Sequence, residues 1–117
     1  MQQSKTEGTG GPWGGLGDLD KLLEHRVRLA ICVLLSRNDM LSFRRLQKLL
    51  GETDGSLGAQ LRKLEDNRYL TVKKEFRDRR PVSWYSLSED GRSALLKHLS
   101  VLERLISEAS SESKPRN

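Results

Sequence analysis

The chain has 117 residues, of which 35% are hydrophobic and 32% charged, with a net charge of +5 and one cysteine. That length fits one small domain with short extensions; it holds no apolar run near the ~20 residues of a bilayer crossing and opens without a secretion-type segment, so a cytoplasmic protein with no membrane role is expected. Cys32 alone cannot form an internal disulfide, and with His25 and His98 as the only histidines no zinc-like spacing exists, so no metal or cofactor is expected.

Residues 1–17 are glycine-rich and polar, with Trp13 as the exception, and their small apolar surface does not offset the entropy of ordering them. A disordered tail is expected there. Leu19, Leu22, Leu23, Val27, Ala30, Ile31, Leu34 and Leu35 then recur at three- and four-residue spacing, which predicts a helix over residues 18–37. Cys32 and Val33 fall on its flank, where another chain can cover them, and His25 falls on its polar side as a solvated or capping residue.

Asn38-Asp39 breaks this helix, and Met40-Leu41 supplies a very short strand. Ser42 is placed to cap a second helix of apolar face Phe43, Leu46, Leu49 and Leu50, which Gly51 ends. Thr53 or Asp54 caps a third helix, whose Leu57, Leu61 and Leu64 face the core. Its opposite face carries Ser56, Ala59, Arg62, Lys63 and Asp66, with Gly58 and Gln60 on the flanks. Leu70, Val72 and Phe76 alternate with polar residues, and residues 82–87 hold Tyr85 and Leu87 in one alternating set and Trp84 in the other, so both runs read as strands of a hairpin around the loop Arg77-Asp78-Arg79-Arg80-Pro81. Ser88 caps a long last helix that keeps apolar spacing through Ala94, Leu95, Leu99, Leu102, Leu105, Ile106 and Ala109; polar residues 110–117 fray into a second tail. The domain therefore spans residues 18–109.

The fold class is α+β and mostly helical: a winged helix-turn-helix with a long C-terminal helix. Charge follows this architecture. Over residues 44–63 the bases Arg44, Arg45, Lys48, Arg62 and Lys63 outnumber Glu52 and Asp54, and over residues 68–80 six bases, among them Lys73, Arg77, Arg79 and Arg80, face Glu75 and Asp78. The first helix is balanced. Small Ser56 and Ala59 let the third helix approach base edges, Gln60 has the geometry to pair with adenine, and Arg62 or Lys63 to reach guanine or phosphate. Arg44, Arg45, Lys48, Lys73 and Arg77 are expected on phosphates, and Arg79 and Arg80 in a minor groove. The same face also suits docking of an acidic protein partner. No nucleophile elbow, phosphate loop or paired acid cluster points to an enzyme.

Residues 19–99 resemble the winged-helix DNA-binding regulators of prokaryotes, broadly the MarR and ArsR groups. They are most similar to a small single-domain type with the patterns LxxLLxHRxRLAI (residues 19–31), LSFxxLxxLL (41–50), TDGxLxxxLxKLExxxY (53–69) and RRPxxxYxLxxxGRxAL (79–95). The resemblance implies a transcription regulator acting as a homodimer, with the third helix as reader. The chain departs from the pattern at Ser56, Gly58 and Gln60, where asparagine, serine and histidine are common. At Arg68 a glycine commonly ends the third helix, which points to Asn67 as the left-handed residue here. The last helix exposes more apolar surface than a small core covers, so Leu19, Leu22, Leu23, Leu95, Leu99, Leu102, Leu105 and Ile106 are expected to join two copies, with His98 at the rim. A small-molecule effector is not indicated.

Overall fold

The computed structural model describes residues 12–111. Two 3-10 segments, Pro12–Asp18 and Lys21–Glu24, precede α1 (Arg26–Ser36), β1 (Leu41–Ser42), α2 (Phe43–Leu50), α3 (Asp54–Asp66), β2 (Leu70–Arg77), β3 (Arg80–Leu87) and α4 (Glu89–Ala109). The sheet is antiparallel in the order β1-β3-β2, with Leu41 opposite Tyr85 and a β2–β3 ladder running from Leu70 opposite Leu87 to Arg77 opposite Arg80. This is the winged-helix arrangement the element order predicts.

Hydroxyl caps start three helices. Ser42 accepts from the Arg45 N–H (3.1 Å), Thr53 from Ser56 (3.1 Å) and Ser88 from Gly91 (2.9 Å). Gly51 ends α2 in the left-handed region at φ 66°. The core gathers Leu23, Ile31, Cys32 and Leu35 with Leu46 of α2, Leu57, Leu61 and Leu64 of α3, Leu70 and Tyr85 of the sheet, and Leu95 of α4. Every helix contributes to it, and burial of this set is the main favourable term in folding.

Several expectations need correcting. The predicted single helix over residues 18–37 is two pieces: the 3-10 segment Lys21–Glu24, which Asp20 caps by accepting from Leu22 N–H (2.8 Å), and α1. His25 then restarts the chain from an extended backbone and caps α1, its Nδ1 accepting from Val27 N–H (3.2 Å). Arg68, not Asn67, is left-handed (φ 65°): Arg68 N–H bonds Glu65 O (2.9 Å) and Tyr69 N–H bonds Leu64 O (2.9 Å), the two bonds of a Schellman end, which places the reversal one residue after Asn67. Leu49 is 46% exposed and so leaves the apolar face expected for α2.

His98 is buried, not at a rim, and its Nδ1 accepts from the Asp20 N–H at 2.9 Å, while Tyr69 donates its hydroxyl to the Asp20 carboxylate. Leu23 and Leu95, expected between two copies, are closed into the chain's own core, and so is Cys32. Of the remaining interface set, Leu19, Leu22, Leu102 and Leu105 are half-buried, while Leu99 and Ile106 are exposed. Residues 12–17, expected to be disordered, enter the first 3-10 segment, which lies along α4, where Asp18 pairs with Lys97 at 3.9 Å. The tails expected over residues 1–11 and 112–117 lie outside the described residues. Among the described residues no helix is long and apolar enough to cross a membrane, and no three His, Cys, Asp or Glu side chains form a metal-holding group.

Candidate nucleic-acid interface

The N-terminal turn of α2, the first residue of α3 and the β2–β3 hairpin border one cleft, and the outer face of α3 is exposed. The pattern of α3 explains its exposure, since Leu57, Leu61 and Leu64 point inward and leave Ser56, Ala59, Arg62, Lys63 and Asp66 outward. Ser56 donates its hydroxyl to Glu52 Oε1 at 2.6 Å, and Ala59 adds only a methyl. The middle of the helix is therefore low in relief, which allows close approach to a flat surface.

Gln60 is a correction within this set. Its Oε1 accepts from Arg28 Nη1 at 2.7 Å, while Arg28 Nε donates to Leu22 O at 2.7 Å. One step before Leu61, Gln60 lies on the flank nearest α1, so its amide oxygen is committed to the fold. Local periodicity carried no sign of Arg28, because its partner is 32 residues away.

On α2, Arg44, Arg45 and Lys48 are exposed. Arg44 lies 3.9 Å from Asp54, the first residue of α3, and Gln47 also donates to that carboxylate. Asp54 is favourably placed for its own helix, whose N-terminus is the positive end of the dipole. It also masks part of the positive charge on this side.

The hairpin tip is tighter than the predicted five-residue loop. Arg77 and Arg80 are paired strand residues and Pro81 belongs to β3; the reversal is Asp78–Arg79, with φ of 52° and 68°. Two consecutive positive φ values are the signature of a type I′ turn, whose twist matches the strands it joins. Arg77 stacks over the Trp84 ring (5.5 Å to its centroid) and lies 3.8 Å from Glu75, which accepts from Trp84 Nε1 at 2.6 Å. This trio stiffens the hairpin and commits Arg77 to it. Among the described residues Arg79, Arg80, Lys73, Lys63, Arg62, Arg45 and Lys48 enter no ion pair, and all are exposed.

Between the helices and the hairpin runs a cleft of about 460 Å³, lined by Ser42, Phe43 and Arg44 of β1 and α2, Asp54 of α3, and Arg77, Pro81, Val82, Ser83 and Trp84 of the hairpin. Arg44 stands on one of its walls and Arg77 on the other. Arginine presents donors in a planar fork that matches phosphate geometry, so the cleft can hold a phosphodiester strand while the two rims reach to either side of it.

The winged helix DNA-binding domain family matches residues 27–106, from α1 into α4. Among solved structures, the chain is similar to a transcriptional regulator homologue from Pyrococcus horikoshii OT3, with 28% identity, 79% of this chain and 91% of that one covered, and a TM-score of 0.73. It is also similar to the transcriptional regulator BldR of Sulfolobus solfataricus (24% identity, 87% and 70% covered, TM-score 0.62). A third similar structure is a mutant of ZitR from Lactococcus lactis in complex with DNA (20% identity, 72% and 56% covered, TM-score 0.55). None of the curated proteins compared matches the chain. With the matched span running from the first turn of α1 to the last of α4 and holding the hairpin between them, the chain belongs to the winged helix DNA-binding domain family, and its fold is that of MarR-like transcriptional regulators.

Proposed function

We propose that this protein is a sequence-specific, double-stranded DNA-binding transcription regulator acting as a homodimer, with α3 in the major groove and the hairpin tip on the neighbouring minor groove or its phosphates. The observation that carries this reading is the set of exposed cations outside any ion pair among the described residues on the three elements of a winged helix-turn-helix: Arg45 and Lys48 on α2, Arg62 and Lys63 on α3, and Arg79 and Arg80 at the hairpin tip. Ser56, Ala59, Arg62 and Lys63 supply base choice, and Arg44, Arg45, Lys48 and Lys73 supply phosphate contacts. Arg77 acts from its place over Trp84, and Gln60 acts by fixing α3 against α1. The DNA complex of ZitR supports DNA as the partner by likeness of fold.

The homodimer rests on α4. Leu96, Leu99 and Ile106 are 61%, 36% and 64% exposed along one stripe of that helix, beside half-buried Leu102. A surface stripe of this kind on both copies is self-complementary under two-fold symmetry, and it would offer two copies of α3 to a palindrome.

Selection of bound duplexes from a random pool tests the reading. The expected result is an inverted repeat with half-sites about 10 base pairs apart, centre to centre. Replacing Arg79 and Arg80 by alanine is expected to weaken binding and to lower the slope of log K against log salt by about 2. No enrichment from the pool, together with retained binding of an acidic protein, would overturn the proposal.

A further inference from the structure

Phe76 is the most exposed of the large hydrophobic residues described, at 76%. It shares one face of the hairpin with Leu70, Val72 and Lys74 on β2 and with Leu87, Tyr85, Ser83 and Pro81 on β3. The first two rungs of that face, Leu70–Leu87 and Val72–Tyr85, pack on the helices. The later rungs run out past the core: Ser83 and Pro81, together with Arg77, Val82 and Trp84 of the other face, line the cleft across from Phe43, Arg44 and Asp54, and Phe76 stands opposite Pro81. Phe76 is thus on the face whose first two rungs pack on the helices, one rung from the tip that carries Arg79 and Arg80, while Arg77 lies on the opposite face over Trp84.

The fold does not account for this residue. Phe76 is outside the core, and β2 is an edge strand, where an exposed aromatic invites pairing with other chains. Charge at the tip, with Arg79 and Arg80 exposed and outside any ion pair among the described residues, and the cleft that joins the hairpin to Arg44 both indicate a polyanion as its occupant.

We propose that Phe76 is an apolar wedge which the basic tip delivers into the DNA minor groove, where the ring packs against deoxyribose and partly unstacks one base step. The inference rests on the function proposed above and deepens it. Arginine is drawn to the negative potential of the groove, and burial of the ring then offsets the cost of unstacking. That cost is smallest at pyrimidine–purine steps, so the wedge confers a preference for TA or CA beside the half-site without a hydrogen bond to any base.

The test uses the full chain and duplexes carrying the selected half-sites, flanked by either a TA or an AA step, with a fluorescent adenine analogue that brightens on unstacking placed in that step. The wild type is expected to brighten the TA probe and to prefer it by about tenfold. Phe76→Ala is expected to lose both effects. It should keep the salt slope, since no charge is removed, whereas Arg79→Ala lowers that slope. Phe76→Leu, still apolar, is expected to retain part of the preference. Far-UV circular dichroism and a melting curve check that each variant folds. Equal affinity of wild type and Phe76→Ala for both flanks, absence of brightening, or an equal loss on both flanks would overturn the wedge while leaving DNA binding intact. Failure of the wild type to select any sequence would overturn the function first and the wedge with it.

Discussion

Cys32 has no exposed surface, and burial, aided by the nearby Asp20 carboxylate, pushes its thiol up from 9.0 to about 12. Below pH 9 the thiol is neutral in both folded and unfolded chains. Between pH 9 and about 12 the unfolded chain releases a proton that the folded chain keeps, so stability falls as pH rises, by up to about 1.4 kcal/mol per pH unit. Urea titrations of wild type and Cys32→Ala across this range should diverge in slope, and a thiol reagent should label Cys32 only as the protein unfolds. Tyr69 is pushed up as well, by burial first and then by its hydrogen bond to Asp20, and adds a loss of the same sign at higher pH. A second residue-scale expectation concerns Arg68. A side chain at φ 65° costs roughly 1 kcal/mol relative to glycine, and Ser88 Oγ donates to the backbone carbonyl of Arg68 (2.6 Å), not to its side chain. Arg68→Gly is therefore expected to raise the urea midpoint by a corresponding amount without disturbing that corner.

At the scale of elements, α3 meets two demands at its N-terminus. Asp54 complements the helix dipole and anchors Gln47 and Arg44, yet it places a carboxylate where DNA phosphates are proposed to pass. Asp54→Asn should cost the helix a few tenths of a kcal/mol. It should tighten DNA binding by roughly fivefold at low salt, the gain fading as salt screens it; unchanged affinity at every salt concentration would show that this end of α3 stays clear of phosphate. Elements with a local signal were legible from the sequence: Ser42, Thr53, Ser88 and Gly51 announce their helix ends, and alternation announces the hairpin. Features set by distant partners were not. The Asp20 N–H meets His98 across 78 residues, and Gln60 is held by Arg28 across 32. The tight Asp78–Arg79 reversal lacked the glycine that usually marks such a turn, so it read as a longer loop.

At the scale of the molecule, the chain is elongated, 65 × 36 × 23 Å, and α4 runs on past its last buried residue, Val101. Replacing Leu96 and Ile106 together by glutamate is expected to give a monomer in sedimentation and to weaken binding to a two-half-site duplex by roughly 100-fold, while single half-sites are bound as before. A variant that stays dimeric would move the pairing surface elsewhere. How α4 leaves the domain is fixed at one corner. Tyr69 O accepts from Ser88 N–H at 2.9 Å, and a Cβ on Gly91 would fall 2.2 Å from that same oxygen. The start of α4 therefore meets the turn between α3 and β2 backbone to backbone, with the Leu87 side chain close beside them. In the proposed dimer, α4 acts as a shaft set in this socket, and its angle determines how far apart the two reading helices stand. The half-site spacing that the protein can measure would then be calibrated in that corner, by a glycine on a helix that reads no base.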